Sequence, residues 1–362
     1  MSSSTNFAAL LRTGAEHCAT GSNDVPNRVD KYGLSFTSKR PWSIHESTYA
    51  APETMKYCET AVELTDSLKQ GQRILTNLNT TRFEPYNCRM RWFSTSEICD
   101  ISYRYSNVII YGDSLSRHLT QACLILLTED TVFGALPRLS PSSMYNHCAC
   151  DGQFSEAKHC RFSDSNVIQI ADPRSYGICR GRGQSQPFQV HYVSPGKQCH
   201  KKKCKLDTKM LDVRTNASIL CSPDPRPIAV MLQGGAHYGS RADRVIKHFL
   251  KPFEAAVKQT RTTCAYNTTL RVVWTGLNSQ SIALDKKYPH QSDANATLFN
   301  DHVSQFVAKR FSMLTLDFLP LTRQADVSDG YHYLTEVNVL KAMYWYNLLH
   351  LWSFAAPLDV FT

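Results

Sequence analysis

Two apolar patterns alternate along the chain after residue 100. Short uninterrupted apolar runs are typical of strands buried on both faces of a parallel sheet, whereas apolar residues at helical spacing predict helices. The predicted strands are 108–112, 227–235, 270–276 and 312–318. The predicted helices are 114–127, 241–257 and 296–311, with a last helix that begins at about residue 334. This alternation predicts an α/β fold, a three-layer α/β/α sandwich with a central parallel sheet.

Two regions depart from the alternation. Residues 1–100 carry few periodic apolar runs and predict an irregular, cysteine-containing N-terminal lead-in. Residues from about 140 to 226 are dominated by prolines, cysteines, Gly-Arg repeats and a lysine cluster, and they predict a disulfide-rich insertion rather than a second core. We therefore expect one α/β domain over residues 101–362, interrupted by this Cys/Lys-rich insertion.

Composition and charge exclude some classes of protein. The hydrophobic content of 42% and the charged content of 20% argue against overall disorder. Much of the excess behind the net charge of +9 lies in Lys197–Lys205. Because no aromatic residues interleave this cluster and no nucleic-acid motif accompanies it, we expect no nucleic-acid partner. An acidic glycan or an anionic membrane surface is the alternative partner of the lysine cluster.

The 13 cysteines allow two interpretations. Several lie close together with histidines beside them: Cys148, Cys150, Cys160, Cys199 and Cys204, with His147, His159 and His200. Zinc binding is one interpretation, but the paired C-x2-C spacing of zinc sites is missing. We therefore predict disulfides formed in an oxidising compartment, and no metal site. The odd count leaves at least one thiol unpaired within the chain.

Four Asn-x-Ser/Thr sequons agree with an oxidising compartment. The candidate glycosylation sites are Asn79, Asn216, Asn267 and Asn295. Together with the cysteines they predict a protein of the secretory-pathway lumen, such as the Golgi, or of the extracellular space. The first 18 residues, "MSSSTNFAALLRTGAEHC", lack the apolar core of a signal peptide, and no apolar run is long enough for a bilayer. We expect that a targeting or membrane-anchor segment is missing from this chain; the alternative is that the compartment is wrongly inferred.

Candidate chemistry follows the ends of the predicted strands, where parallel sheets bind ligands. Gly112-Asp113-Ser114 comes directly after one strand and opens a helix. A helix N-terminus offers free N–H groups and positive potential to a developing oxyanion, so Ser114 is a candidate nucleophile. Asp113 and Ser114 are also good helix caps, and capping alone is the alternative.

Two further loops complete the candidate site. Asp329 and His332 lie three residues apart before the last helix, as a carboxylate that orients a general base would. The alternative is an Asp-Gly turn followed by an exposed histidine. Gly234 and Gly235 follow another strand, and their amides could approach a substrate closely. The alternative there is an ordinary strand-to-helix turn.

Three blocks together resemble a known family. "GDSLSRH", the preceding "FEPYNCRMRWFSTSEICD" and the later "DGYHYL" resemble the motifs of SGNH (GDSL-like) acyl hydrolases. The resemblance is to the PC-esterase branch, which includes trichome-birefringence-like polysaccharide O-acetyltransferases and related sialic-acid and capsule O-acetyltransferases. It covers the chain from about Phe83 to the end, with residues 140–226 unmatched, and it implies an SGNH-like catalytic domain.

The resemblance implies a role for each residue. Ser114 would take the acyl group, His332 would be the general base, Asp329 would orient His332, and the Ser114 amide would donate to the oxyanion. Gly234 and Gly235 stand where the glycine-containing third block belongs. Arg117 is either a cationic donor near the acyl oxygen or a solvated, glycan-facing arginine.

Two departures from the family limit the comparison. The general third block is Gly-x-Asn-Asp, and "GGAHYG" has no asparagine, so the second oxyanion donor is not identified. The plant branch has Gly-His-Trp there, and His237 echoes it loosely; His237 either binds sugar or simply packs. The Trp-Cys-Leu-Pro run that follows the catalytic histidine in the plant branch is also absent, which weakens the case for a plant-type substrate.

The expected function is transfer of an acyl group, acetyl in the family, to hydroxyls of a glycan through an acyl-Ser114 intermediate. It requires an acyl donor and a glycan or glycoconjugate acceptor, and no cofactor. A carbohydrate acetyl esterase, in which water is the acceptor, is the alternative enzyme. A non-catalytic glycan-binding protein of the same fold is the alternative outside enzymes.

Overall fold

A six-stranded sheet forms the centre of the molecule. The computed structural model describes residues 49–75, 81–136, 148–154, 160, 167–170, 179, 189–193, 220–266, 269–280, 289–325 and 331–355. Among these residues the sheet has the order β4-β5-β3-β6-β7-β8. Its strands are β3 (Asn107–Tyr111), β4 (Val167–Ile170), β5 (Gln189–Val193), β6 (Ile228–Gln233), β7 (Leu270–Thr275) and β8 (Leu314–Leu316).

The pairing of these strands confirms the predicted α/β class and the parallel centre of the sheet. β3 pairs in parallel with β5 and β6, β6 with β7, and β7 with β8. β4 is antiparallel to β5 at one edge. Both β4 and β5 come from within the 140–226 segment, so that segment contributes strands to the main sheet.

Helices cover both faces of the sheet. They are α1 (Ala61–Lys69), α2 (Thr95–Ser102), α3 (Ser114–Thr128), α4 (Ala242–Val245), α5 (Lys251–Thr263), α6 (Asp293–Phe311), α7 (Leu319–Thr322) and α8 (Thr335–Trp352). The side chains of a strand alternate between faces. Accordingly, Val108 and Ile110 pack in one core with α3 and α8, and Ile109 and Tyr111 pack in another with α5 and α6.

The N-terminal region is joined to the first of these cores. Strands β1 (Gln72–Leu75) and β2 (Thr81–Glu84) form an antiparallel pair. Leu64 and Leu68 of α1 and Phe83 of β2 are fully buried in the core that contains α8. The described part of the lead-in, from residue 49 onward, therefore packs against the α/β core.

Disulfides confirm the predicted use of the cysteines. The bridges are Cys58–Cys88, Cys99–Cys179, Cys148–Cys160 and Cys221–Cys264. Cys150 is also disulfide-bonded, and Cys123, buried in α3, is the free thiol among the described cysteines. Such bridges are compatible with an oxidising secretory or extracellular environment.

The described residues contain no group of three or more His, Cys, Asp or Glu side chains placed to hold a metal ion. None of their helices combines the length and the apolar character that a membrane span requires.

Candidate active site

The corner between β3 and α3 places Ser114 at the first position of the helix. Asp113 is the N-cap, and its carboxylate accepts a hydrogen bond from the Leu115 amide at 3.0 Å. A side chain at Gly112 would overlap the Ser116 hydroxyl, so this close turn requires glycine. Capping and candidate nucleophile thus fall on adjacent residues, and the two roles are compatible.

Ser114 and His332 are brought together from positions 218 residues apart. Ser114 Oγ lies 2.7 Å from His332 Nε2, within hydrogen-bond reach. Both side chains are partly exposed, so a substrate in solution can reach them. A serine hydroxyl in contact with an imidazole can pass its proton to the ring as it attacks a carbonyl. Asp329, the predicted orienting carboxylate, lies outside the described residues.

The residues after His332 fix its position at the start of α8. The Tyr333 hydroxyl donates to the carbonyl of Ser279. Asn338 Nδ2 donates to the carbonyls of Tyr333, at 2.7 Å, and Leu334, at 3.1 Å. The amide and hydroxyl of Thr335 both donate to Asp151 Oδ1, at 2.9 and 2.6 Å. The residues that follow the histidine are therefore held by hydrogen bonds within the first turn of α8 and to two other segments of the chain, at Asp151 and Ser279.

The β6 loop, residues 233–240, follows the strand next to β3. The Ser116 hydroxyl donates to Gln233 Oε1 at 2.5 Å, which ties this loop to α3. A side chain at Gly234 would meet nothing nearer than Tyr238 at 4.0 Å, so Gly234 borders open space. Gly235 instead has φ of +144° and a tightly packed Cα. His237 is exposed and does not pack in the core.

The β7 loop, residues 276–280, carries a candidate residue that the sequence analysis missed. Tyr111, Leu232 and Trp274 share one register across β3, β6 and β7. Asn278 follows β7 and therefore reaches the same sheet edge as Ser114 and Gly234. It is 1% exposed, and its side-chain amide has no hydrogen-bond partner among the described residues. A buried amide without a partner costs about 1–3 kcal/mol, so this one is free to serve a ligand.

The signal for Asn278 was present in the sequence. Gly276-Leu277-Asn278 has the Gly-x-Asn order of the third block, but it follows the strand at 270–276. The glycines that follow the strand at 227–235 match the same block only in part, because no asparagine accompanies them. Two consecutive strands with glycine-containing ends are ambiguous until the sheet order is known.

The β7 loop is fixed by side chains from α6 and α7. Asn300 Oδ1 accepts from the Leu277 amide at 2.7 Å, and Asn300 Nδ2 donates to the Leu277 carbonyl at 3.0 Å. The Ser279 amide donates to Thr322 Oγ1 at 2.9 Å. A side chain at Gly276 would overlap Asn300, so glycine is needed for this clamp. The clamp leaves Asn278 with little freedom to move.

Two further basic side chains near the site are buried. Arg117 is 8% exposed, and its Nη2 lies 3.3 Å from His118 Nε2, so the alternative of a solvated arginine does not describe it. Lys341 Nζ lies 5.3 Å from the ring centre of Phe318 and 5.9 Å from that of Tyr333. Burial lowers the pKa of Lys341 to about 7, although the charge of Asp113 acts in the opposite direction.

Of the four candidate glycosylation sites, Asn295 is exposed in the first turn of α6. Asn79, Asn216 and Asn267 lie outside the described residues, as does the Lys197–Lys205 cluster.

Comparison with known proteins identifies no relative. No family model, no curated protein and no solved structure matches the chain. The functional interpretation therefore depends on the geometry of the site and on the motifs of the sequence.

Proposed function

We propose that the protein is a serine-dependent acyltransferase that uses Ser114 as nucleophile and His332 as general base. The observation that carries the proposal is the 2.7 Å contact between Ser114 Oγ and His332 Nε2 at the N-terminus of α3. The three sequence blocks that resemble SGNH acyl hydrolases of the PC-esterase branch support the same assignment. The helical layers on both faces of a parallel sheet agree with an SGNH-like fold.

The reaction has two halves. His332 Nε2 takes the Ser114 proton while Oγ attacks the carbonyl carbon of the acyl donor, and the donor's oxygen leaves with that proton. In the second half, an acceptor hydroxyl gives its proton to His332 and attacks the acyl-Ser114 carbonyl. Ser114 then leaves and recovers the proton. Asp329 would hold the second ring nitrogen of His332.

Three donors are assigned to the oxyanion of each half-reaction. The Ser114 amide is at the positive end of α3. Gly234 follows β6 at the same sheet edge, and its amide is assigned as the second donor. Asn278 Nδ2 supplies the side-chain donor that the sequence analysis had not identified. Such donors stabilise the charge that develops on the acyl oxygen.

The acceptor divides the proposal into two candidate activities. A glycan hydroxyl as acceptor follows from the family resemblance, in which acetyl is the transferred group. Water as acceptor would give a carbohydrate acetyl esterase. Ser114 and His332 are both partly exposed, so water can reach the acyl-Ser114 intermediate. Transfer to a glycan requires this water to be excluded, and the exposure therefore supports hydrolysis as the second candidate activity.

The test is the intact mass of the protein after exposure to an activated acetyl ester such as p-nitrophenyl acetate. We expect one added acetyl group on the wild-type chain and none on Ser114→Ala. His332→Gln should form the adduct much more slowly, because it removes the base. An unmodified wild-type chain would count against the proposal. Chase of the adduct with candidate glycans in water then separates transfer, which acetylates the glycan, from hydrolysis, which releases acetate.

A further inference from the structure

His118 lies directly against the ring of His332. It is four residues after Ser114 on α3, so both side chains project from the same side of the helix. The ring centres of His118 and His332 are 4.9 Å apart, and the rings are tilted by 51°. His118 is 1% exposed. Tyr331 contacts the His332 ring as well, at 5.7 Å, so two rings restrict the imidazole.

The support behind His118 is itself fixed. The Phe154 ring lies 5.5 Å from the His118 ring, at the end of the short helix Cys150–Phe154. Gln153 anchors this short helix. Its carbonyl accepts from Gln121 Nε2 at 2.7 Å, and its Oε1 accepts from the Ala135 amide at 2.8 Å. His118 therefore rests on a segment that α3 and the following loop hold in place.

The hydrogen bonding of His118 indicates a neutral ring. A guanidinium only donates hydrogen bonds, so Nε2 of His118 accepts from Arg117 Nη2 at 3.3 Å. That leaves the ring proton on Nδ1. When His332 takes the serine proton it becomes a cation, and a second imidazolium beside it would oppose that step. A neutral ring supplies contact without this repulsion.

We propose that His118 is a positioning residue, whose neutral ring holds the His332 imidazole in hydrogen-bond reach of Ser114. This inference rests on the proposed function for its catalytic consequence. A histidine that precedes a helix can rotate about two side-chain bonds, and only some orientations point Nε2 at Ser114. Contact with both His118 and Tyr331 restricts these alternatives.

Three substitutions of His118 distinguish the effect of its ring contact with His332 from that of its hydrogen bond with Arg117. His118→Phe keeps a ring of similar size but cannot accept from Arg117. His118→Asn keeps a short polar side chain but has no ring, and His118→Ala has neither. We expect kcat for acetylation of Ser114 to fall about ten- to a hundredfold in the Asn and Ala variants with KM unchanged, because a small misplacement of a catalytic group costs this much. His118→Phe should restore most of the rate.

A second measurement does not depend on activity. In the full chain labelled with 15N-histidine, the Nε2 resonance of His332, assigned with His332→Gln, should move in Ser114→Ala because its hydrogen bond is lost. The Asn and Ala variants of His118 should show the same movement, and His118→Phe should not. Thermal unfolding of each variant shows whether it is folded; if His118→Ala is not, the Phe and Asn pair carries the comparison.

The outcomes separate the two proposals. If the wild-type chain forms no acetyl adduct but the resonances follow the expected pattern, the proposed function fails and the positioning of His332 stands. If the His332 resonance of folded His118→Asn equals that of the wild type, the positioning inference is overturned whatever the adduct shows. It is also overturned if His118→Phe loses as much rate as His118→Asn, since the ring contact is then not the cause.

Discussion

The β6 loop and the β7 loop are held by different contacts, although both follow buried parallel strands and both contain a tightly packed glycine. The β6 loop borders open space at Gly234 and exposes His237. The β7 loop is clamped by Asn300 and Thr322, and it buries Asn278, whose side-chain amide has no hydrogen-bond partner in the part of the chain that the structure describes. The clamped loop is therefore the one suited to hold a preorganised donor.

The largest expected effect is that of Asn278→Ala. Loss of one oxyanion donor costs about 10²–10³ in kcat, and we expect that loss for acetylation of Ser114. His237→Ala on the β6 loop should change the rate by less than about twofold, because substitutions of exposed side chains are nearly neutral. The rate of p-nitrophenol release from p-nitrophenyl acetate during acetylation of Ser114 compares the two directly.

Stability gives this comparison a control. The buried side-chain amide of Asn278 lowers the stability of the folded protein, because it has no hydrogen-bond partner among the described residues. Asn278→Ala should therefore unfold at no lower a temperature than the wild type. A rate loss together with a lower unfolding temperature would point to a damaged β7 loop instead. A large loss in His237→Ala, with Asn278→Ala unaffected, would place the side-chain donor on the β6 loop and reverse the comparison.

The sequence predicted those parts of the fold and the site that depend on local patterns of residues. Strands such as 270–276 were predictable, because uninterrupted apolar runs identify buried parallel strands with little ambiguity. The end of β3 and the pairing of Ser114 with His332 followed from residue chemistry and from the family motifs. β4 and β5 were not predicted, since they lie among prolines, cysteines and lysines that mask a short apolar run.

The parts of the site that were missed depend on contacts between distant segments. Asn278 becomes a candidate only when β7 is known to lie beside β6, and when Asn300, from α6, is seen to fix its loop. In the sequence, His118 is one residue of a predominantly apolar helix, and nothing there distinguishes it. Its importance follows from its contact with the ring of His332. Local patterns contain neither relation.

A smaller effect is expected from substitution of the first two glycines of the β6 loop, Gly234 and Gly235. A side chain at Gly235 would approach Phe299 to 2.7 Å and Leu277 to 2.8 Å, and φ is +144°. Gly235→Ala should therefore lower the free energy of unfolding by about 1–3 kcal/mol. Gly234→Ala, beside open space, should lower it by less than about 0.5 kcal/mol. Urea unfolding with the disulfides intact measures both.

This pair also tests how independent the two loops are. Leu277 belongs to the β7 loop, so a side chain at Gly235 presses on the residue next to Asn278. We expect Gly235→Ala to lose acetylation rate as well as stability. If the two glycine variants are equally stable, Phe299 and Leu277 have room to move, and the β7 loop is less rigid than its hydrogen bonds indicate.

A last prediction concerns the pH dependence of stability and Lys341, which packs on Tyr333, the residue whose hydroxyl donates to the Ser279 carbonyl in the β7 loop. Its pKa is about 7 in the folded protein, against about 10.4 in an unfolded chain. Between these values the unfolded chain binds a proton that the folded chain does not. The contribution of Lys341 to stability is therefore least favourable below about pH 7 and improves as the pH rises, by at most about 1.4 kcal/mol per pH unit.

Lys341→Met removes this titration while keeping a long side chain for the apolar site. The variant should exceed the wild type in stability most at about pH 6.5, and the difference should shrink by about pH 9, where the wild-type amine is neutral in the folded state. Urea unfolding at the two pH values gives the difference. An advantage that is the same at both would mean that Lys341 keeps its proton in the folded protein, held by Asp113. The lysine charge would then interact with Asp113, at the corner between β3 and α3 that carries Ser114.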